Sequence, residues 1–247
     1  MCYHISNRRR EERALQDRFD ATFEHPKVYQ PYHHFNGWES KNLYIIRQED
    51  PESIDFASWG LLPTGYDLSL RSEFLRITNT LNATRERLFE SQLFNQFIHW
   101  QRCLIIADGF YEPHKDPDIK GSVPFYFQLK NKELFALAGV YSVIDDGINP
   151  LYSASIITTE ANPLFKKIHN SPNSKGSYRM PLILNPSDEY DWLHSNNDEA
   201  IINTLLHTFT KSEFETYPVS QDIFKRVDSN RPDITNRVDY PELKISF

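Results

Sequence analysis

The sequence predicts an α+β fold built on a largely antiparallel sheet, and three observations carry that expectation. Short apolar runs of strand composition recur between Leu43 and Thr158. Only a few stretches of helical periodicity interrupt them. Strand and helix never alternate in the regular way that builds a parallel sheet. With 247 residues, 39% of them hydrophobic, and no linker-like stretch, one domain with a sizeable core is expected. Thirteen Tyr and seventeen Phe carry much of that core.

Taken along the chain, Arg8 to Phe23 has helical composition, with Ala14, Leu15, Arg18, Phe19 and Phe23 spaced to form one stripe. Pro26, Pro31 and Gly37 then break the chain into short extended pieces, and Leu43 to Ile46 reads as a strand. A second helix is expected from Glu86 to Arg102, with Leu88, Phe89, Leu93, Phe94 and Phe97 packing against a sheet. Arg102 to Ile106 reads as a buried strand leading into Asp108-Gly109-Phe110-Tyr111-Glu112. Phe125 to Leu129, Leu134 to Val143 and Leu151 to Thr158 are further strands. Past Asn230 the chain is rich in Pro, Asp and Asn, so the expected division is a domain over 2–229 and a loosely packed tail over 230–247.

Composition narrows the function classes. A net charge of −7 argues against a protein that coats nucleic acid through bulk charge. A local basic groove remains open to Arg8, Arg9, Arg10, Arg85, Arg87, Lys166, Lys167 and Arg179. The N-terminus has no apolar signal region and no run is long enough to cross a bilayer, so a cytoplasmic protein without membrane contact is expected. Two cysteines, Cys2 and Cys103, make neither a disulfide framework nor a zinc cluster. Nine scattered histidines show no metal-ligand spacing, and His33-His34 reads as structural or surface. No phosphate loop is present, so neither metal nor cofactor is expected.

Cys2 is the residue with the most distinctive chemistry. Removal of Met1 makes it the N-terminus, with an α-amine and a thiol on adjacent carbons. Such a vicinal aminothiol captures aldehydes: the amine forms a Schiff base and the sulfur closes a thiazolidine. Unperturbed, the two groups titrate near about 8 and 8.5, within reach of neutral pH.

Several blocks follow Cys2 in a fixed order: Trp59-Gly60-Leu61-Leu62-Pro63, Asn82-Ala83, Arg102 to Glu112, Ile156 to Asn162, and His169 with Arg179-Met180-Pro181. From Cys2 to about Leu184 the chain resembles the SRAP family, the SOS-response-associated peptidase-like proteins that process abasic sites in single-stranded DNA. The resemblance implies a strongly curved, barrel-like sheet with surrounding helices, acting as a monomer. It implies that Cys2 forms a covalent thiazolidine link to the abasic sugar, with associated Schiff-base lyase activity. Glu112 would shuttle the proton that opens the sugar to its aldehyde, and His169 would assist proton transfers or bind a phosphate oxygen. Asn82 would position Cys2 and the opened sugar. Trp59, Asn36, Arg85 and Arg179 would contact DNA.

The chain departs from the family pattern in three places. Thr84 stands where an Arg is expected, with Arg85 next to it. Tyr3 replaces a common Gly. Asn170 to Tyr178 separate His169 from Arg179 by a longer Ser/Asn/Gly/Pro-rich loop. Two other readings stay open: an N-terminal-nucleophile cysteine peptidase with Glu112 or His169 as base, and a noncatalytic DNA-binding module using Trp59 and the arginines. Peptide turnover marks the first, and binding indifferent to Cys2 marks the second.

Overall fold

In order, the chain forms β1 (His4–Asn7), α1 (Arg13–Phe19), β2 (Thr22–Phe23), β3 (Tyr32–Asn36), β4 (Asn42–Arg47), β5 (Ser53–Trp59), α2 (Arg71–Ile77), β6 (Asn82–Thr84) and α3 (Gln92–Ile98). There follow β7 (Arg102–Ala107), β8 (Gly109–Lys115), β9 (Ser122–Leu129), β10 (Phe135–Asp145), β11 (Leu151–Glu160), α4 (Pro163–Ile168), β12 (Arg179–Pro181), α5 (Pro186–His194), α6 (Glu199–Leu205) and β13 (Phe214–Pro218). This computed structural model describes residues 2–23, 29–39, 41–145, 150–194, 198–206, 214–225 and 227–245. Met1 and Pro26 lie outside the described residues.

The α+β expectation holds, and the barrel-like curvature has a definite origin. Strands β11, β10, β7, β4 and β5 pair successively, and β5 returns to β11 in parallel from Tyr152↔Ala57 to Ala154↔Trp59, which closes the sheet. Where β5 leaves, β6 takes over along β11 at Ile156↔Asn82, and β12 pairs with its end at Thr158↔Pro181. A second sheet, antiparallel throughout, has the order β13-β9-β8-β1-β3. Strand β7 is buried on both faces, as the apolar run Cys103–Ala107 requires, and its first residue, Arg102, is buried with it. Inside the barrel a side chain at Gly139 would meet Ile105 Cδ1 at 2.7 Å and Cys103 Sγ at 2.9 Å, so only glycine fits there.

Three expectations need correction. The first helix covers only Arg13–Phe19, because Asp20 turns left-handed at φ 51° and Phe23 joins β2 instead. The second covers only Gln92–Ile98, because Ser91 caps it by accepting from Phe94 N, and Arg85–Arg87 forms a separate 3-10 turn. The segment after Asn230 is docked rather than loose. Ile234 is fully buried, Asn230 Oδ1 accepts from His33 N at 2.8 Å, Tyr240 donates to Val219 O at 2.7 Å, and Lys244 N donates to Asp116 Oδ2 at 3.1 Å. Its polar side chains close backbone bonds that composition alone assigns to solvent. Among the described residues no helix is long and apolar enough to cross a membrane.

Candidate active site

Cys2 enters the core just before β1, which lies between β3 and β8. Two donors from other elements hold the backbone here: Asn82 Nδ2 donates to Cys2 O and Gly37 N donates to Tyr3 O, both at 2.9 Å. Gly37 is held in turn by Arg71, whose guanidinium donates to Gly37 O at 2.7 Å and, through Nε, to Trp59 O at 3.0 Å. The start of β8 needs a glycine, since a Cβ at Gly109 would stand 2.0 Å from Tyr126 Oη. Asn82, the first residue of β6, ties the residue two positions ahead of β1 to the barrel sheet.

Glu112 lies in the middle of β8 and is 1% exposed. His169 ends α4, a helix started by Pro163 at its first turn and by Asn162, whose side chain accepts from Phe165 N at 3.0 Å. Two contacts with β8 set the position of the histidine. His114 Nδ1 lies 2.9 Å from Ile168 O, and Asn170 clamps Lys115, accepting from its N at 2.9 Å and donating to its O at 2.7 Å. His169 Nδ1 thus stands 2.8 Å from Glu112 Oε2, close but out of line for a hydrogen bond. Both Glu112 oxygens, His169 Nδ1, Asn82 Oδ1 and Arg179 Nε are buried without hydrogen-bond partners. Unpaired polar groups are costly inside a protein, and a cluster of them marks a place where a ligand completes the bonding.

Burial pushes the Cys2 thiol well up, and the negative charge of Glu112 pushes it further, so Cys2 is held as a neutral thiol at neutral pH. Beside these groups opens a cleft of about 260 Å³, lined by Tyr3, His4, His169, Arg179 and Phe224 among others. The long loop after His169 folds back on itself. Asn173 Oδ1 accepts from Lys175 N and Ser177 N at 3.0 Å, and Gly176 turns left-handed at φ 76°. That return brings Arg179 to the same cleft as His169 despite their separation in sequence. Arg179 is bonded to Glu86 Oε1 at 2.9 Å and to Thr158 O.

The structure brings Cys2, Asn82, Glu112, His169 and Arg179 together and leaves three expected DNA contacts elsewhere. Trp59 is fully buried, its Nε1 donating to Leu81 O at 2.8 Å and its ring filling the space beside Gly37, so no base can stack on it. Arg85 lines a different groove with Glu160, Asn162 and Met180, and pairs with Glu86 at 3.4 Å. Asn36 faces His4 across β1–β3, and its side chain accepts from Trp38 N at 3.2 Å, shaping the turn after β3. Trp38 is the aromatic that sequence reasoning missed: it is 47% exposed, with its ring 6.3 Å from that of Tyr3. His33-His34 was expected to be structural or surface, and His34 is buried against His4. Among the described residues no group of His, Cys, Asp and Glu is arranged to hold a metal.

Comparison with known proteins matches the chain to one family. A family model for the SOS response associated peptidase (SRAP) covers residues 1–226. The chain belongs to the SRAP family. It is 34% identical to the abasic site processing protein YoqW of Bacillus subtilis, over 75% of this chain and 78% of that protein. It is also 34% identical to YoaM of the same organism, likewise named an abasic site processing protein, over 83% and 85% of the two chains. A crystal structure of a protein from Bacteroides thetaiotaomicron superposes with a TM-score of 0.80 at 25% identity, covering 96% of this chain and all (100%) of that one. A second, from Bordetella bronchiseptica, shares the fold at a TM-score of 0.71 and 21% identity, over 89% of this chain and 100% of that one.

Proposed function

We propose that the protein processes abasic sites in single-stranded DNA, acting as a monomer and forming a covalent thiazolidine with the lesion through Cys2 once Met1 is removed. The observation that carries this reading is the buried Glu112 carboxylate, which makes no hydrogen bond to the protein and stands 2.8 Å from His169 Nδ1, with Asn82 bonded to the Cys2 carbonyl. The closed abasic sugar must open before an amine can attack it. Glu112 accepts the proton from the anomeric hydroxyl as the bond from the anomeric carbon to the ring oxygen breaks, and His169 delivers a proton to the ring oxygen, which yields the aldehyde. The Cys2 amine then adds to the carbonyl carbon and water leaves, forming the C=N bond. Finally sulfur adds to that carbon while the thiol proton passes to nitrogen, closing the ring. The Schiff base also permits β-elimination of the 3′ phosphate, the lyase branch.

Holding Cys2 as a neutral thiol suits this order, since the amine reacts first and the sulfur only when an imine stands next to it. The peptidase reading instead needs a thiolate as the first nucleophile. Arg179 Nε supplies an unpaired donor for a phosphate, and Trp38 with Tyr3 offers aromatic surface for a flanking base. The test is intact-mass analysis after incubation with abasic single-stranded DNA. A heat-stable, stoichiometric adduct on Cys2 is expected. Peptide turnover without an adduct, or binding indifferent to Cys2→Ala, would each overturn the reading.

A further inference from the structure

His4, His34 and Ser229 form a hydrogen-bonded chain from the cleft wall into the segment after β13. His4 Nδ1 lies 2.8 Å from His34 Nε2, and His34 Nδ1 lies 2.6 Å from Ser229 Oγ. The two imidazoles are nearly parallel, at 17°. His34 and Ser229 are buried, whereas His4 lines the cleft with His169 and Arg179. Each ring is braced edge-on by an aromatic: His4 by Phe224 with centroids 5.5 Å apart, His34 by Tyr111 at 5.4 Å. Asn230 holds the neighbouring backbone by accepting from His33 N and His34 N at 2.8 and 3.4 Å. Burial holds His4 down to about 4, with the Glu112 charge acting in the opposite sense. Burial, then His4 and Lys41, holds His34 down to about 3. Both rings are therefore neutral at neutral pH.

A neutral imidazole carries one N–H and one lone pair. In a chain of two imidazoles and a hydroxyl, every bond must then run the same way. In one arrangement Ser229 donates to His34 Nδ1, His34 Nε2 donates to His4 Nδ1, and His4 presents Nε2–H to the cleft. In the other the chain is reversed and His4 presents a lone pair.

We infer that His4 is a second proton-transfer group of this site, and that Ser229, acting through His34, resupplies the proton it delivers. This rests on the aldehyde-capture reading above, and it assigns the step that reading left without an acid, the loss of water from the carbinolamine. His4 Nε2 gives its proton to the departing hydroxyl, the C–O bond breaks with its electrons on oxygen, and the nitrogen lone pair forms C=N. The His34 Nε2 proton moves to His4 Nδ1, the Ser229 hydroxyl proton moves to His34 Nδ1, and a proton from solvent restores the hydroxyl. The net change is one proton taken up, one water released and one iminium formed. Glu112 and His169 are thereby left to open the sugar, and the C-terminal segment that carries Ser229 becomes part of the catalytic apparatus.

The test compares wild type with His4→Phe, His34→Phe and Ser229→Ala, each keeping the local packing, in single-turnover crosslinking to abasic single-stranded DNA. His4→Phe is expected to slow adduct formation by about 100-fold or more with DNA affinity unchanged. His34→Phe and Ser229→Ala are expected to slow it by smaller factors. The dependence of the wild-type rate on the deuterium fraction of the solvent should be curved, and it should become linear in His34→Phe, a change that a merely structural role would not produce. A wild-type rate in His4→Phe, or identical deuterium dependence in wild type and His34→Phe, overturns the inference. Nitrogen NMR of the free protein judges the relay separately: Ser229→Ala should alter the His4 tautomer, and unchanged His4 ring-nitrogen shifts would sink the relay. If wild type forms no adduct at all, the capture reading and the His4 step fall together, while the NMR result still decides whether the relay exists.

Discussion

Around Cys103 buried polar groups find partners: Trp192 Nε1 donates to Cys103 O at 3.0 Å, and Arg102 donates to Trp192 O at 2.7 Å, Ile98 O at 3.1 Å and His99 O at 2.9 Å. Around Cys2, in an equally buried setting, Glu112, His169, Asn82 and Arg179 all keep atoms unpaired. Burial pushes both thiols up, so neither burial nor thiol acidity separates the two cysteines. What separates them is the state of the polar groups nearby. In the barrel wall these groups are spent on the fold, and around Cys2 they keep atoms without hydrogen-bond partners, at some cost in stability.

The largest expected effect breaks the symmetry of the cysteines outright. Extending the N-terminus beyond Cys2 converts its amine to an amide, whose lone pair is delocalised, and the stable adduct should vanish. Cys103→Ala should leave adduct formation intact. Intact-mass analysis of the two proteins after incubation with abasic single-stranded DNA checks both, and an adduct on the extended protein moves the nucleophile away from Cys2.

Next come two substitutions of buried charged residues with opposite consequences. Glu112→Gln should slow crosslinking by about 100- to 10,000-fold while the thermal midpoint moves little, because no hydrogen bond from the carboxylate to another protein group is lost and only its 2.8 Å contact with His169 changes. Arg102→Met should do the reverse, leaving the carbonyls of Trp192, Ile98 and His99 unpaired at a cost on the order of 1–3 kcal/mol each, with crosslinking by the folded fraction retained. Denaturant melts alongside single-turnover rates separate the two, and a Glu112→Gln protein that crosslinks normally removes this carboxylate from the mechanism.

A third comparison concerns the thiols in the native state. Since both are held protonated by burial, iodoacetamide at neutral pH should modify Cys2 and Cys103 slowly, and unfolding should release both together. Rapid selective labelling of Cys2 would indicate a thiolate and favour the peptidase chemistry.

The smallest effect is on stability in acid. His4 and His34 are held below their ordinary value of 6.5, so between about 4 and 6.5 the unfolded chain binds protons that the folded chain does not. Their contribution is full above pH 6.5 and declines as the pH falls through that window. His34→Phe should flatten the fall in denaturation midpoint between pH 6.5 and 4, and an unchanged slope would show that this pair stays uncharged in neither or both states.

Much of the barrel was legible because its strands announce themselves locally: Cys103–Ala107 is an unbroken apolar run behind Arg102, and Leu43–Ile46 and Leu151–Thr158 read as strands from composition. The short helix α4 was less legible, although Asn162-Pro163 is a capping signal in plain view. Cys2 was singled out by the aminothiol it becomes without Met1, and Glu112 and His169 were nominated through the order of sequence blocks. The residues that aim them, His114 and Asn170, carry no local signature, because their roles exist only once β8 lies against the end of α4.

The sequence alone determined the strands over Leu43–Ile46, Arg102–Ile106, Phe125–Leu129, Leu134–Val143 and Leu151–Thr158 and the chemical types available near the N-terminus, since these follow from side-chain size, branching and periodicity within a few residues. Only the tertiary structure decided that Trp59 is core and Trp38 is surface, that Arg179 lines the cleft with His169 while Arg85, paired to the same Glu86, lines another groove, and that the segment around Ile234 packs against β3. It alone joined His34 to Ser229, 195 positions apart. Burial and hydrogen-bond pairing are settled by which distant segments meet, and a residue's own neighbours in sequence carry no record of that meeting.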